Sequence, residues 1–184
     1  DCSKILNVAK SFGMIPRLHA DEFVCSNGAV LAKEIGAASA DHLMSIDDTG
    51  IEALSSSKVI ATLLPGTTFS LNNNNYADGR KLIDSGCDVA LATDFNPGTC
   101  TIRSLIKIML FSVLYCGMSI EEAFKAVTIN GARALMKEDC VGAIKKGYEA
   151  DLLFWKNKSL DEIIYWNDPS IYLKHIMKKG KIIN

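Results

Sequence analysis

Short apolar runs alternate along this chain with longer segments whose apolar residues recur at helical spacing, and that alternation predicts its elements. Residues 15–20 form a run of strand length. Residues 28–37 place Val30, Leu31 and Ile35 at helical spacing and close on Gly36. A second strand is expected at residues 39–44, then a helix at residues 47–56 with Asp47 or Asp48 as its cap. Residues 59–64 are apolar and β-branched and break at Pro65-Gly66. Residues 76–84 read as a helix ending before Gly86, and residues 88–93 as a strand broken by Pro97-Gly98. Three helices are expected next: a largely apolar, buried one at residues 101–116, one at 119–127, and a short Ala-rich one at 130–136. The second opens with Ser119-Ile120-Glu121-Glu122, a capping-box pattern. Beyond Gly147 the pattern turns to strands at residues 151–155 and 175–183, the latter folded at Lys179-Gly180-Lys181.

Four successive strand-then-helix units predict an α/β fold with parallel strands and helices packed on the sheet. The near-continuous apolar strands predict a sheet buried on both faces. Four such units amount to half of a TIM-type (β/α)8 barrel, which leaves two raw sheet edges and an open core. The expected division is a partial barrel over residues 1–146 and part of a small β-rich, sandwich-like domain over residues 147–184.

Composition narrows the function. Of 184 residues, 48% are hydrophobic and 22% charged, which suits a sizeable core, and the net charge of −1 gives no reason to expect nucleic acid or an anionic membrane as a partner. No apolar stretch is long enough to span a bilayer, and the first residues do not read as a signal peptide. The six cysteines are irregularly spaced, form no C-x-x-C pair and are expected to be mostly buried thiols rather than a zinc-thiolate site.

Polar residues gather where the strands end. His19, Asp21 and Glu22 follow the first strand, Asp41 and His42 the second, Thr67 and Thr68 the third, and Asp94 and Asn96 the fourth. In parallel barrels those ends share one face, so His19, His42 and Asp94 are expected to converge as a metal-binding or acid–base set. The bland alternatives stay open: Glu22 as a cap for the helix near Gly28, Asn96 as a turn residue, and a lone histidine as a hydrogen-bonded structural group. His175 lies beside Lys178, Lys179 and Lys181 and reads as structural or surface.

Four segments carry a resemblance. Leu18-His19-Ala20-Asp21-Glu22-Phe23, Gly36-Ala37-Ala38-Ser39-Ala40-Asp41-His42-Leu43, Leu63-Leu64-Pro65-Gly66-Thr67-Thr68-Phe69 and Ala92-Thr93-Asp94-Phe95-Asn96-Pro97-Gly98-Thr99 occur in the order of strands five to eight of imidazolonepropionases. Gly147-Tyr148-Glu149-Ala150-Asp151-Leu152 is similar to the return into the small β domain of amidohydrolases generally. The chain therefore resembles the C-terminal portion of an imidazolonepropionase. The resemblance implies hydrolysis of 4-imidazolone-5-propanoate to N-formimino-L-glutamate in histidine breakdown, with one zinc or iron ion, in a cytoplasmic homodimer. It implies metal ligation by His19 and Asp94, catalytic roles for Glu22, His42 and Asp94, and substrate contact by Glu22, Asn96, Gly98 and Thr99.

One departure matters. The family also draws metal ligands from a His-x-His pair on its first strand, and no two histidines here are closer than the 23 positions between His19 and His42. Catalytic zinc normally has three protein ligands. The 184 residues are therefore expected to be an incomplete, inactive piece of the enzyme. The alternatives are an inactive truncated amidohydrolase, a subunit completed by a partner, or another cyclic amidohydrolase or deaminase.

Overall fold

A computed structural model describes residues 1–156 and 159–183. The chain opens with a helix that the pattern did not announce, α1 (Cys2–Ser11), none of whose residues is buried. The four expected units follow: β1 (Arg17–Ala20), α2 (Gly28–Ile35), β2 (Ser39–His42), α3 (Asp48–Ser55), β3 (Ile60–Leu63), α4 (Pro65–Ser70), α5 (Gly79–Asp84) and β4 (Val89–Leu91). Then come α6 (Leu105–Tyr115), α7 (Ile120–Val127) and α8 (Ile129–Ala134). The last part comprises β5 (Leu152–Trp155), α9 (Leu160–Trp166), α10 (Pro169–Tyr172), β6 (Leu173–Lys178) and β7 (Lys181–Ile182).

Caps set most of the boundaries. Asp47 accepts from the Gly50 N–H and Asp78 from the Lys81 N–H, so α3 and α5 begin directly after them. Ser104 does the same for α6, which shortens the helix expected from residue 101. Ser119 and Glu122 close the predicted capping box on α7. Pro65-Gly66, expected as a break, instead opens α4, because proline at a first helical position gives up no needed donor.

The first four strands form one parallel sheet in the order β1-β2-β3-β4. Its two faces differ: burial on both sides, as expected, holds for β3 and β4, but β1 at the sheet edge leaves Arg17 and His19 exposed. Ala20, Ala40, Ala61, Leu63 and Val89 join the hydrophobic core under the helices. The opposite face presents Arg17, His19, Ser39, Asp41 and Thr62 to an open cavity of about 780 Å³. The register places His19 opposite Asp41, Asp41 opposite Thr62 and Thr62 opposite Ala90, one row across the sheet. Alternation is short here because each strand contributes only three or four residues.

β5, β6 and β7 make a separate antiparallel sheet. α9, inserted between β5 and β6, packs on α6 and α7, and its Ile164 belongs to the main core. No helix among the described residues is long and apolar enough to cross a membrane.

Candidate metal and acid–base site

Three of the strand ends turn through backbone that non-glycine residues seldom adopt. Asp21 (φ 49°) follows β1, His42 (φ 80°) and Leu43 (φ 63°) end β2, and Asp94 (φ 49°) follows β4. Such conformations cost about 1–3 kcal/mol each and cluster where a side chain must be aimed. The result is a compact group: His19, Glu22 and His42 bring one ligand atom each within 4.8 Å of one another.

Within it, His19 Nδ1 and His42 Nε2 are 2.8 Å apart and the two rings are 5.0 Å between centroids. His42 Nδ1 lies 3.6 Å from Glu22 Oε1, an ion-pair separation too long for a hydrogen bond, so this buried nitrogen has no hydrogen-bond partner. Burial pushes the His42 imidazole below its usual range, against the upward pull of Glu22 and Asp94. A neutral His42 with its proton on Nδ1, facing Glu22, accepts from His19 Nδ1–H at Nε2. That tautomer leaves His19 Nε2 with a free lone pair. Two imidazoles and a carboxylate are a donor set that zinc accepts, and the free Nε2 lone pair of His19 is available to a cation.

Asp94 stands outside the three-residue group but lines the same cavity as His19. Its Oδ2 accepts a 2.6 Å bond from Thr67 Oγ1, the first turn of α4. Asn96 closes its own turn: Oδ1 accepts from the N–H groups of Gly98 (2.9 Å) and Thr99 (2.7 Å), and Nδ2 donates to the Asp94 carbonyl (2.7 Å). The turn reading of Asn96 is thus realised. Gly98 and Thr99 are exposed on that loop. Glu22 does not cap α2; Asp21 does, accepting from Ser26, Gly28 and Ala29. His175 lies away from this group, in β6 beside Phe154. Sequence reasoning gave no role to Thr67 or Ser45, whose partners are 27 and 23 residues away and leave no local signal.

A parallel α/β sheet with histidines and carboxylates at its strand ends defines a class, and the profile of the Amidohydrolase family matches residues 19–183: the chain belongs to that family. Within it, the chain is similar to imidazolonepropionases. It is 43% identical over 180 residues to that of Porphyromonas gingivalis, covering 98% of this chain and 42% of the relative. It is 48% identical over 155 residues to that of Bacillus cytotoxicus, covering 84% and 37%. The chain thus spans about two fifths of the length of these relatives. Among solved structures, a zinc-bound adenosine deaminase from Xanthomonas campestris superposes with a TM-score of 0.80 at 17% identity, over 98% of this chain and 47% of that one. A 5-methylcytosine deaminase from Klebsiella pneumoniae gives 0.78 at 20%, over 98% and 50%. At those identities the likeness is one of fold.

Proposed function

We propose that this chain is the C-terminal portion of an imidazolonepropionase and supplies part of a site that hydrolyses 4-imidazolone-5-propanoate to N-formimino-L-glutamate. The observation that carries the reading is the gathering of His19, Glu22 and His42 at two strand ends, with Asp94 lining the same cavity as His19. In this reading the four-stranded sheet is strands five to eight of a (β/α)8 barrel, residues 1–146 are its barrel part, and residues 147–184 belong to a small β domain. The complete protein is a cytoplasmic homodimer.

His19 and Asp94 would hold one zinc or iron ion, together with ligands from outside these residues. When bound, such an ion supplies Lewis-acid activation and lowers the pKa of water to about 7. The chain's own residues handle protons and position. Adding water across the ring C–N bond requires a base for the attacking water and a proton for the departing nitrogen. His42, kept neutral by burial with its proton on Nδ1, is able to accept the water's proton at Nε2, in place of the His19 bond, as it releases its Nδ1 proton towards Glu22. Glu22, at the exposed edge of the pair, takes up that proton and delivers it to the departing ring nitrogen. The turn held by Asn96 sets Gly98 and Thr99 against the flat ring, where a residue without a side chain permits close approach.

The test uses the protein encoded with the residues upstream of Asp1. If those contain a strand ending in His-x-His, the purified protein should bind one metal per chain and open the imidazolone ring. Asp94→Asn should lose most of the metal, whereas His42→Gln should keep it and lose turnover by roughly 10²–10⁴-fold. The 184-residue chain alone should show no turnover. A complete protein that deaminates nucleobases or opens another cyclic amide, and leaves the imidazolone intact, overturns the substrate assignment.

A further inference from the structure

We propose that Asp21 is a positioning residue, whose carboxylate and carbonyl hold the loop that presents Glu22 to His42. The inference rests on the proposed site only in taking Glu22 and His42 to act as a pair. Asp21 lies between His19 and Glu22 and is 3% exposed. Its Oδ1 accepts from Ser26 N (2.7 Å), Ser26 Oγ (3.2 Å) and Gly28 N (3.0 Å), and its Oδ2 from Ala29 N (2.9 Å).

These bonds are an unusual way to cap a helix. Asp47, Asp78, Ser104 and Ser119 each cap a helix that starts at the next residue. Asn27, which holds that place for α2, is left-handed and makes no side-chain cap bond. Asp21 reaches across the intervening loop instead, closing residues 22–27 around one carboxylate. The loop has little else to fix it, since Phe23 and Val24 are 63% and 68% exposed. Gly28 presses α2 onto the strand end: a Cβ there would lie 2.8 Å from Ala20 Cα.

The backbone of Asp21 makes the second tie. Its carbonyl accepts from Ser45 N (2.7 Å), and Ser45 Oγ donates to the Glu22 carbonyl (3.3 Å). Ser45 belongs to the segment that leaves β2 just after His42. One residue therefore binds the Glu22 loop to α2 and to the neighbouring strand end that carries His42. A cap needed only for the helix would not require this detour, and Glu22 is the loop's contribution to the ligand group.

The experiment reads histidine ring ¹⁵N shifts of the 184-residue chain at fixed neutral pH, with His42 assigned through His42→Gln. Glu22→Gln provides the reference displacement of the His42 resonances. Asp21→Ala should reproduce that displacement. Asp47→Ala, which removes an ordinary cap from α3, should lower the melting temperature and leave the His42 shifts at wild-type values. Wild-type shifts in folded Asp21→Ala overturn the proposal, as does an equal displacement in Asp47→Ala or no displacement in Glu22→Gln. Should Asp21→Ala not fold, Asp21→Asn decides by the same criterion, because its amide group sets a donor against the Ala29 N–H. Neither metal nor substrate enters this readout. Failure of the complete protein to open the ring would leave it standing, and unmoved shifts would remove Asp21's role without touching the reaction.

Discussion

At the scale of single residues, His42 combines a buried ring, a left-handed backbone and a nitrogen without a hydrogen-bond partner. Glu22, Asp94, Asp41 and His19 are the charged or titratable groups that bear on it, and burial outweighs the pull of the carboxylates. A histidine whose folded pKa is depressed binds its proton later than it does in the unfolded chain. Its contribution to stability is therefore full above about pH 6.5 and is lost as pH falls towards the folded value. Urea melts of the chain between pH 7.5 and 5.5 should show stability declining with acid, and His42→Gln should flatten that decline. An unchanged slope in the variant would remove His42 as its source. His19, His42 and Asp94 were legible as candidates because each falls at the end of an apolar run. Asp21 and Thr67 were visible as polar residues at strand ends, but their roles depend on partners that only folding brings near.

Among elements, those announced by periodicity plus a cap were the most legible. Ser119→Ala removes one side of the capping box and should cost about 1 kcal/mol, read as a lower melting temperature with native circular dichroism retained. Gly142 carries information that pattern could not supply: at φ +92° its added Cβ would sit 2.8 Å from Ala132 Cβ and 3.0 Å from the Thr128 carbonyl. Gly142→Ala should therefore destabilise more than Ser119→Ala, by about 1–3 kcal/mol in urea unfolding. α1 was not read from the pattern although Ile5, Leu6 and Val8 recur at helical spacing; Ile5 and Val8 remain exposed, while Leu6 packs against the core. α4 escaped because Pro65-Gly66 carries opposite meanings inside a helix and at its first turn.

For the whole molecule, only three of the six thiols are buried, where mostly buried ones were expected. Cys2 and Cys25 are exposed, Cys140 is partly exposed, and Cys87, Cys100 and Cys116 are buried. Burial pushes the Cys87 thiol up to about 11 and the Cys116 thiol up to about 12. Under native conditions a thiol reagent followed by mass spectrometry should label Cys2 and Cys25 first, and Cys87, Cys100 and Cys116 only on unfolding; early labelling of Cys116 would contradict this packing. The order of β1 to β4 with α2, α3 and α5 to α8, the parallel sheet and the strand-end position of the reactive residues followed from the sequence alone, because hydrophobic period and turn chemistry are local properties. Tertiary structure decided which sheet face is polar, that α9 joins the main core, and that His19, Glu22 and His42 rather than Asp94 form the closest group. Those outcomes depend on strand register and on hydrogen bonds between residues distant in the chain, which local pattern does not encode.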